Sequence, residues 1–399
     1  MPRGFINSSN WCYINATLQA LLTSSPFCHL MRSFPSRQPS PDNNNVIYSS
    51  TPILDSFVRL VKELKPLPKK NPPRPSKEQW YGPSHEPEYI YKMLSTIKSK
   101  LSERGRQEDA EEFLSCVLNG LHEEMLKVTE FYFGKSVPTL NHTDDTIAKN
   151  SQVELGYEVP LHEDQQNDDS EESEEQWEEV TATRKNKSYV MRRADISKTP
   201  VSDVFRGELR SDLFQEGQRG TATLEPFFTL PLDINDQKTW SVGEALEHFT
   251  RLEPVQDFTN TKTKVKVEAN RKVTLETLPP VLILHLKRFV YDKEGGSLKI
   301  DKEVQYHTDL IIGKELLSKT SKKIALEKRS YKLFAVVYHH GKKSSGGHYS
   351  TDVYHDGLNC WLRIDDQHIK TTNVHEVVKH TPQRTAYLLY YKRTDLMVV

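Results

Sequence analysis

Cysteine is scarce in this sequence, with four residues at 12, 28, 116 and 360 among 399 positions and no CxxC pair. Four isolated thiols cannot staple a chain of this length, and the missing pairs argue against a structural zinc ribbon. Excess charge is lacking as well. Lys plus Arg number 54 and Asp plus Glu 55, a net charge of −1, so no global field draws the chain to nucleic acid or to an anionic membrane. No run approaches the roughly 20 apolar residues of a membrane span, and no internal repeat marks a solenoid. The opening MPRGFINSSN has neither the apolar core of a signal peptide nor the Arg-rich character of a transit peptide. The expected setting is therefore cytoplasmic, with the nucleus as a second one, and neither nucleic-acid binding nor membrane insertion is expected.

What is present divides into two compositional halves. In the first, Ile14, Leu18, Leu21 and Leu22 fall on one helical face, with Asn10 as a candidate N-cap and Pro26 just beyond the end. The segment 53–64 repeats the pattern before the linker PLPKKNPPRP (66–75). A longer helix is predicted near 106–126, where Ala110, Phe113, Leu114, Val117, Leu118 and Leu121 form an apolar stripe. Periodicity is then lost from 136 to 200. Its acidic stretch 163–179 holds ten acidic residues and no basic one, and is expected to stay disordered. From 201 onward the chain reads as strands: 224–234, 261–275, 280–290, 331–340, 348–354, 361–365 and 385–393. VLILHL is expected at the centre of a mixed or antiparallel sheet. Together these features define an α+β protein.

Cys12 would stand in the first turn of the first helix, where the positive end of the helix dipole favours a thiolate. By itself such a cysteine is more often a small core residue. The Asp356-Gly357 pair lies between two strand-like runs, a two-residue hairpin signal that sets His348 opposite Asp365. A carboxylate on one imidazole nitrogen leaves the other to take a thiol proton. A shift of one residue would substitute Asp366, and both carboxylates remain candidates. Asn7 has the reach of an oxyanion donor beside the Cys12 N–H, although Asn7 and Asn10 equally suit a turn and a cap. Gly346 and Gly347, just before His348, fit either an ordinary loop or a narrow channel for a Gly-containing peptide. Asp109 and Glu112 read either as an acidic pair for a basic peptide or as helix N-terminal charges.

The segments GFINSSNWCYINATLQALL (4–22), GRQEDAEEFL (105–114), LPPVLILHLKRF (278–289), GGHYSTDVY (346–354) and WLRIDD (361–366) resemble, in that order, the ubiquitin-specific protease family. The resemblance implies a papain-like cysteine protease over 1–399, with a helical thumb over 1–135, an insertion at 136–200, and a β-sheet palm and β fingers over 201–399. It implies Cys12 as nucleophile, His348 as base, Asp365 as orienter and Asn7 as oxyanion donor. It also implies Asp109 and Glu112 along the path of ubiquitin's C-terminal tail. The implied partners are ubiquitin and ubiquitinated proteins, and no cofactor is called for. Two departures stand out. Ser9-Asn10-Trp11-Cys12 replaces the usual Gly-Asn-Thr-Cys, and the CxxC pairs that hold zinc in many members' fingers are absent, so metal-free fingers are expected. The competing readings are a ubiquitin-binding module of weak catalytic power and a protease for another ubiquitin-like modifier. With Cys12 so near Met1, the sequence does not say whether a longer native chain precedes it.

Overall fold

The apolar stripes predicted for the first half fold as helices because each needs a partner for its buried face. In the computed structural model these are α1 (Cys12–Thr23), α2 (Ser25–Ser33), α3 (Pro52–Glu63), α4 (Glu88–Ile97) and α5 (Ala110–Phe133). The structure describes residues 2–36, 49–64, 81–97, 108–134, 177–181, 190–194, 197–215, 220–255, 258, 266–291, 297–342 and 346–396. The predicted stripe of α5 is buried throughout, each Leu or Phe in it contributing roughly 1.5–3 kcal/mol. α3 opens with Pro52 and receives no side-chain cap from Thr51. Its first N–H groups instead meet the buried Glu124 carboxylate of α5, at 2.9 Å from Ile53 and 2.8 Å from Leu54. Pro26 opens α2 after a break at Ser24, and α1 starts from Trp11 rather than Asn10. No described helix is long and apolar enough to cross a membrane.

The second half supplies α6 (Pro200–Phe205), α7 (Val242–Phe249) and α8 (Val374–Val378). Its first strands are β1 (Trp177–Thr181), β2 (Val190–Ala194), β3 (Gly207–Gln215), β4 (Thr221–Phe227), β5 (Thr229–Asp233), β6 (Leu252–Val255) and β7 (Ala269–Thr277). Then come β8 (Val281–Lys287), β9 (Phe289–Tyr291), β10 (Ser297–Lys299), β11 (Asp309–Ile311) and β12 (Ser330–His340). The last are β13 (His348–His355), β14 (Cys360–Asp365), β15 (His368–Thr372) and β16 (Arg384–Arg393). Of the acidic stretch expected to stay disordered, 163–176 lies outside the described residues, and 177–179 lie in β1.

One sheet runs β1-β2-β4-β3-β7-β6. β9 and β10 form a two-stranded sheet, and a third sheet, which carries the candidate site, has eight strands in the order β15-β14-β13-β12-β16-β8-β5, with β11 paired to β12. It is mixed, since β5 pairs with β8 in parallel and its other pairs are antiparallel. The expectation that VLILHL would be central is corrected: β8 is the last strand but one, outside β16 and inside β5. Its continuous apolar character reflects cover on both faces. Val281 and Ile283 belong to one apolar cluster together with residues of α1, α3 and α5, and Leu282, Leu284 and Leu286 to a second one with residues of α7.

Candidate active site

α1 carries Cys12 as its first residue, 3% exposed, at the end where unpaired N–H groups concentrate positive potential. Asn10 turns the chain into the helix at φ 56°, and Asn7 Oδ1 accepts from the Trp11 N–H at 2.8 Å. Thr351 Oγ1 of β13 donates to Ala16 O at 2.8 Å and ties α1 to the sheet. On that strand His348 lies beside Cys12. Its Nε2 donates to Asp365 Oδ1 at 2.5 Å, and the same imidazole hydrogen-bonds the Cys12 thiol. The bond to Asp365 and the bond to Cys12 hold the imidazole protonated up to about pH 10. The imidazolium in turn holds the Asp365 carboxyl below its ordinary value.

The hairpin behind this pair differs from the expected two-residue Asp356-Gly357 turn. Asp356–Leu358 form a 3-10 turn, Asn359 takes the left-handed conformation at φ 51°, and His355 pairs with Cys360. Asn tolerates that conformation because its short side chain bonds locally. The register is therefore displaced by two residues. Side chains alternate with period two, so this displacement leaves His348 and Asp365 on the same face as diagonal neighbours.

Asp366, the alternative orienter, does other work. At φ 48° beyond the end of β14, its Oδ2 accepts from Asn7 Nδ2 at 2.9 Å and its Oδ1 from Asn15 Nδ2 at 2.8 Å. Asn7 is thereby held at both ends of its amide. His348, Asp365 and Asp366 bring potential ligand atoms within 4.8 Å of one another, the one such metal-capable group among the described residues. Its His348 Nε2 and both Asp366 oxygens are already engaged by protein partners.

The remaining predicted residues lie around this centre. Asp109 is the N-cap of α5, accepting from the Glu111 N–H at 2.7 Å, and it also accepts from Tyr387 OH at 2.6 and 2.7 Å. Burial raises its carboxyl above the ordinary value. Glu112, three residues on, is exposed, while Asp109 is half-buried. Gly346 has open space beside it. Gly347 sits at φ 135°, and a Cβ there would meet His340 O at 2.2 Å, so only glycine fits directly before His348. Sequence reasoning missed Asn15, which donates to Asp366, and two tyrosines, Tyr91, whose OH donates to Asn15 Oδ1 at 3.1 Å, and Tyr387. Asn15 lies inside the nucleophile's own motif, whereas nothing in the local sequence points to the tyrosines.

With the His348–Asp365 bond this exposed, its pH response is directly measurable. Asp365→Asn removes the largest cause of the raised imidazole pKa, so the alkaline loss of activity moves to lower pH. For the parent protein the stabilising charge contact is complete below the free imidazole value of about 6.5. It is lost as pH rises through about 10. A pH profile of kcat/KM for both forms checks the displacement.

A helical layer against a mixed sheet, with a thiol at a helix start and an imidazole–carboxylate pair on the facing strands, is an α+β arrangement of the papain-like class. The chain belongs to the ubiquitin carboxyl-terminal hydrolase family, whose model matches residues 3–391. It is 49% identical over 407 residues to ubiquitin carboxyl-terminal hydrolase 10 of Gallus gallus, covering 99% of this chain and 49% of that protein. To the probable ubiquitin carboxyl-terminal hydrolase 3 of Schizosaccharomyces pombe it is 34% identical, covering 98% of this chain and 74% of the other. The chain thus spans about half the length of the hydrolase 10 relatives it matches. In fold it resembles the structure of the SAGA Ubp8/Sgf11/Sus1/Sgf73 DUB module bound to ubiquitin aldehyde. The TM-score is 0.63 at 22% identity, covering 98% of this chain and 69% of that one.

Proposed function

We propose that this chain is a thiol-dependent ubiquitinyl hydrolase that cleaves the peptide or isopeptide bond after ubiquitin's C-terminal glycine. The observation that carries it is the Cys12–His348–Asp365 contact at the mouth of α1. The names of its relatives, and the ubiquitin aldehyde held in a structure of the same fold, support ubiquitin as the modifier. Ubiquitinated proteins are the corresponding substrates. Cytoplasmic action, with access to the nucleus, is part of the same reading, and it rests on the composition and on four cysteines that form no disulfide with one another.

The proton of the pair rests on His348 as imidazolium, and the Cys12 thiolate Sγ attacks the glycine carbonyl carbon to form a C–S bond. The oxyanion is received by the Cys12 N–H and Asn7 Nδ2. Collapse breaks the C–N bond, and the departing amine takes the proton from His348. Water, deprotonated by His348, then attacks the thioester and releases ubiquitin's carboxylate. No step requires a cofactor. With a fluorogenic ubiquitin substrate the parent chain turns over and Cys12→Ser does not; equal rates would sink the mechanism. A matched substrate built on another ubiquitin-like modifier is expected to be cleaved far more slowly.

A further inference from the structure

The turn that delivers Cys12 has an unusual construction. Asn10 is left-handed without being glycine, and Trp11, the N-cap, has φ −86° and ψ 15° with no side-chain cap bond. Such conformations cost of order 1–3 kcal/mol and persist only where surrounding contacts hold them. Here the contacts form a closed ring. The Trp11 N–H donates to Asn7 Oδ1, Asn7 Nδ2 to Asp366 Oδ2, and Asn15 Nδ2 to Asp366 Oδ1. Tyr91 OH of α4 donates to Asn15 Oδ1 at 3.1 Å. The Tyr91 ring then stacks on the Trp11 indole, with centroids 5.0 Å apart and planes 7° from parallel. Removing Tyr91 would break two links of this ring at once.

We infer that Tyr91 is a positioning residue for the reaction, holding Trp11 flat so that the Cys12 N–H and Asn7 Nδ2 converge on the oxyanion. The inference rests on the proposed reading of the site. Tyr91 acts through Trp11 and Asn15. Its effect is confined to donor geometry, and a misplacement near 1 Å at such a site costs up to about 100-fold in rate. Stacking supplies the orientation, and the hydroxyl bond fixes Asn15 and, through Asp366, Asn7.

Three variants test it: Tyr91→Leu loses stack and bond, Tyr91→Phe keeps the stack, and Trp11→Leu loses the stack from the other side. Tyr91→Leu and Trp11→Leu should each lower kcat about 30-fold with KM within about twofold, and Tyr91→Phe only about threefold. The second readout is affinity. Ubiquitin aldehyde, whose adduct presents a tetrahedral oxygen, should lose about the same factor as kcat. Unmodified ubiquitin should bind the Cys12→Ala form of each variant as tightly as it binds Cys12→Ala alone.

An unchanged kcat in Tyr91→Leu, with the parent active, overturns the inference and leaves the proposed function standing. Equal losses for aldehyde and ubiquitin overturn it too, since they mark a purely structural role. A parent chain without hydrolase activity overturns both. If Tyr91→Leu does not fold, Tyr91→Phe decides, because its stack is intact: parent-like kcat and aldehyde affinity overturn the hydroxyl link.

Discussion

Replacing Asp352 with asparagine is expected to lower the free energy of unfolding by about 3–5 kcal/mol. Asp352 lies on β13, fully buried, and receives Arg363 Nε and Nη2 at 2.9 Å each and Arg384 Nη1 at 2.9 Å. Arg384 also lies over the Tyr338 ring at 4.1 Å. One carboxylate therefore balances two guanidinium groups in a dry part of the sheet. The asparagine keeps the shape and removes the charge, leaving two cations with one neutral acceptor oxygen. Because Asp352 pairs directly with Arg363 across β13 and β14, the loss also loosens the register that sets Asp365 beside His348. Hydrolysis should fall more steeply with temperature in the variant than in the parent. Urea unfolding checks the first effect, and a loss under about 1 kcal/mol would show that the cluster is replaceable. Adding Arg363→Leu should recover part of the stability, since it removes one unpaired cation.

His348→Ala has the largest expected effect on rate, about 10⁴-fold in kcat with little change in KM. The helix dipole alone is worth about 0.3–1 kcal/mol at an exposed terminus, too little to supply a thiolate nucleophile at neutral pH. The imidazole provides both the base and the opposing charge, and it later protonates the leaving amine. Removing Asp365 should cost less, because His348 keeps its contact with Cys12. A fall below about tenfold for His348→Ala would show that the thiol is activated by something other than this imidazole.

Much of this site was legible in the sequence because its parts carry strong local signals. The runs 331–340, 348–354, 361–365 and 385–393 are dense in β-branched and aromatic residues, and they fold as β12, β13, β14 and β16. The hairpin shows how a wrong detail can leave the right pair: the turn is two residues longer than Asp-Gly implies, and the period of two returns His348 and Asp365 to one face. Asn10 shows the opposite case, where a residue suited to capping instead takes the left-handed turn one position earlier. Asp109 was ambiguous because an acid at a helix start serves equally as N-cap and as ligand. Only the fold shows its carboxylate turned to Tyr387. Tyr91 was not legible at all. Its stack with Trp11 joins two helices far apart in sequence, and no local pattern encodes such a meeting.

Covalent capture by ubiquitin carrying a C-terminal electrophile tests the central claim most directly, read by intact mass and by mapping the modified peptide. The parent chain should take up one ubiquitin on Cys12, Cys12→Ala none, and His348→Ala should react far more slowly. Modification at Cys28, Cys116 or Cys360, or capture that proceeds unchanged without His348, would contradict the assignment of Cys12 as a nucleophile activated by this imidazole.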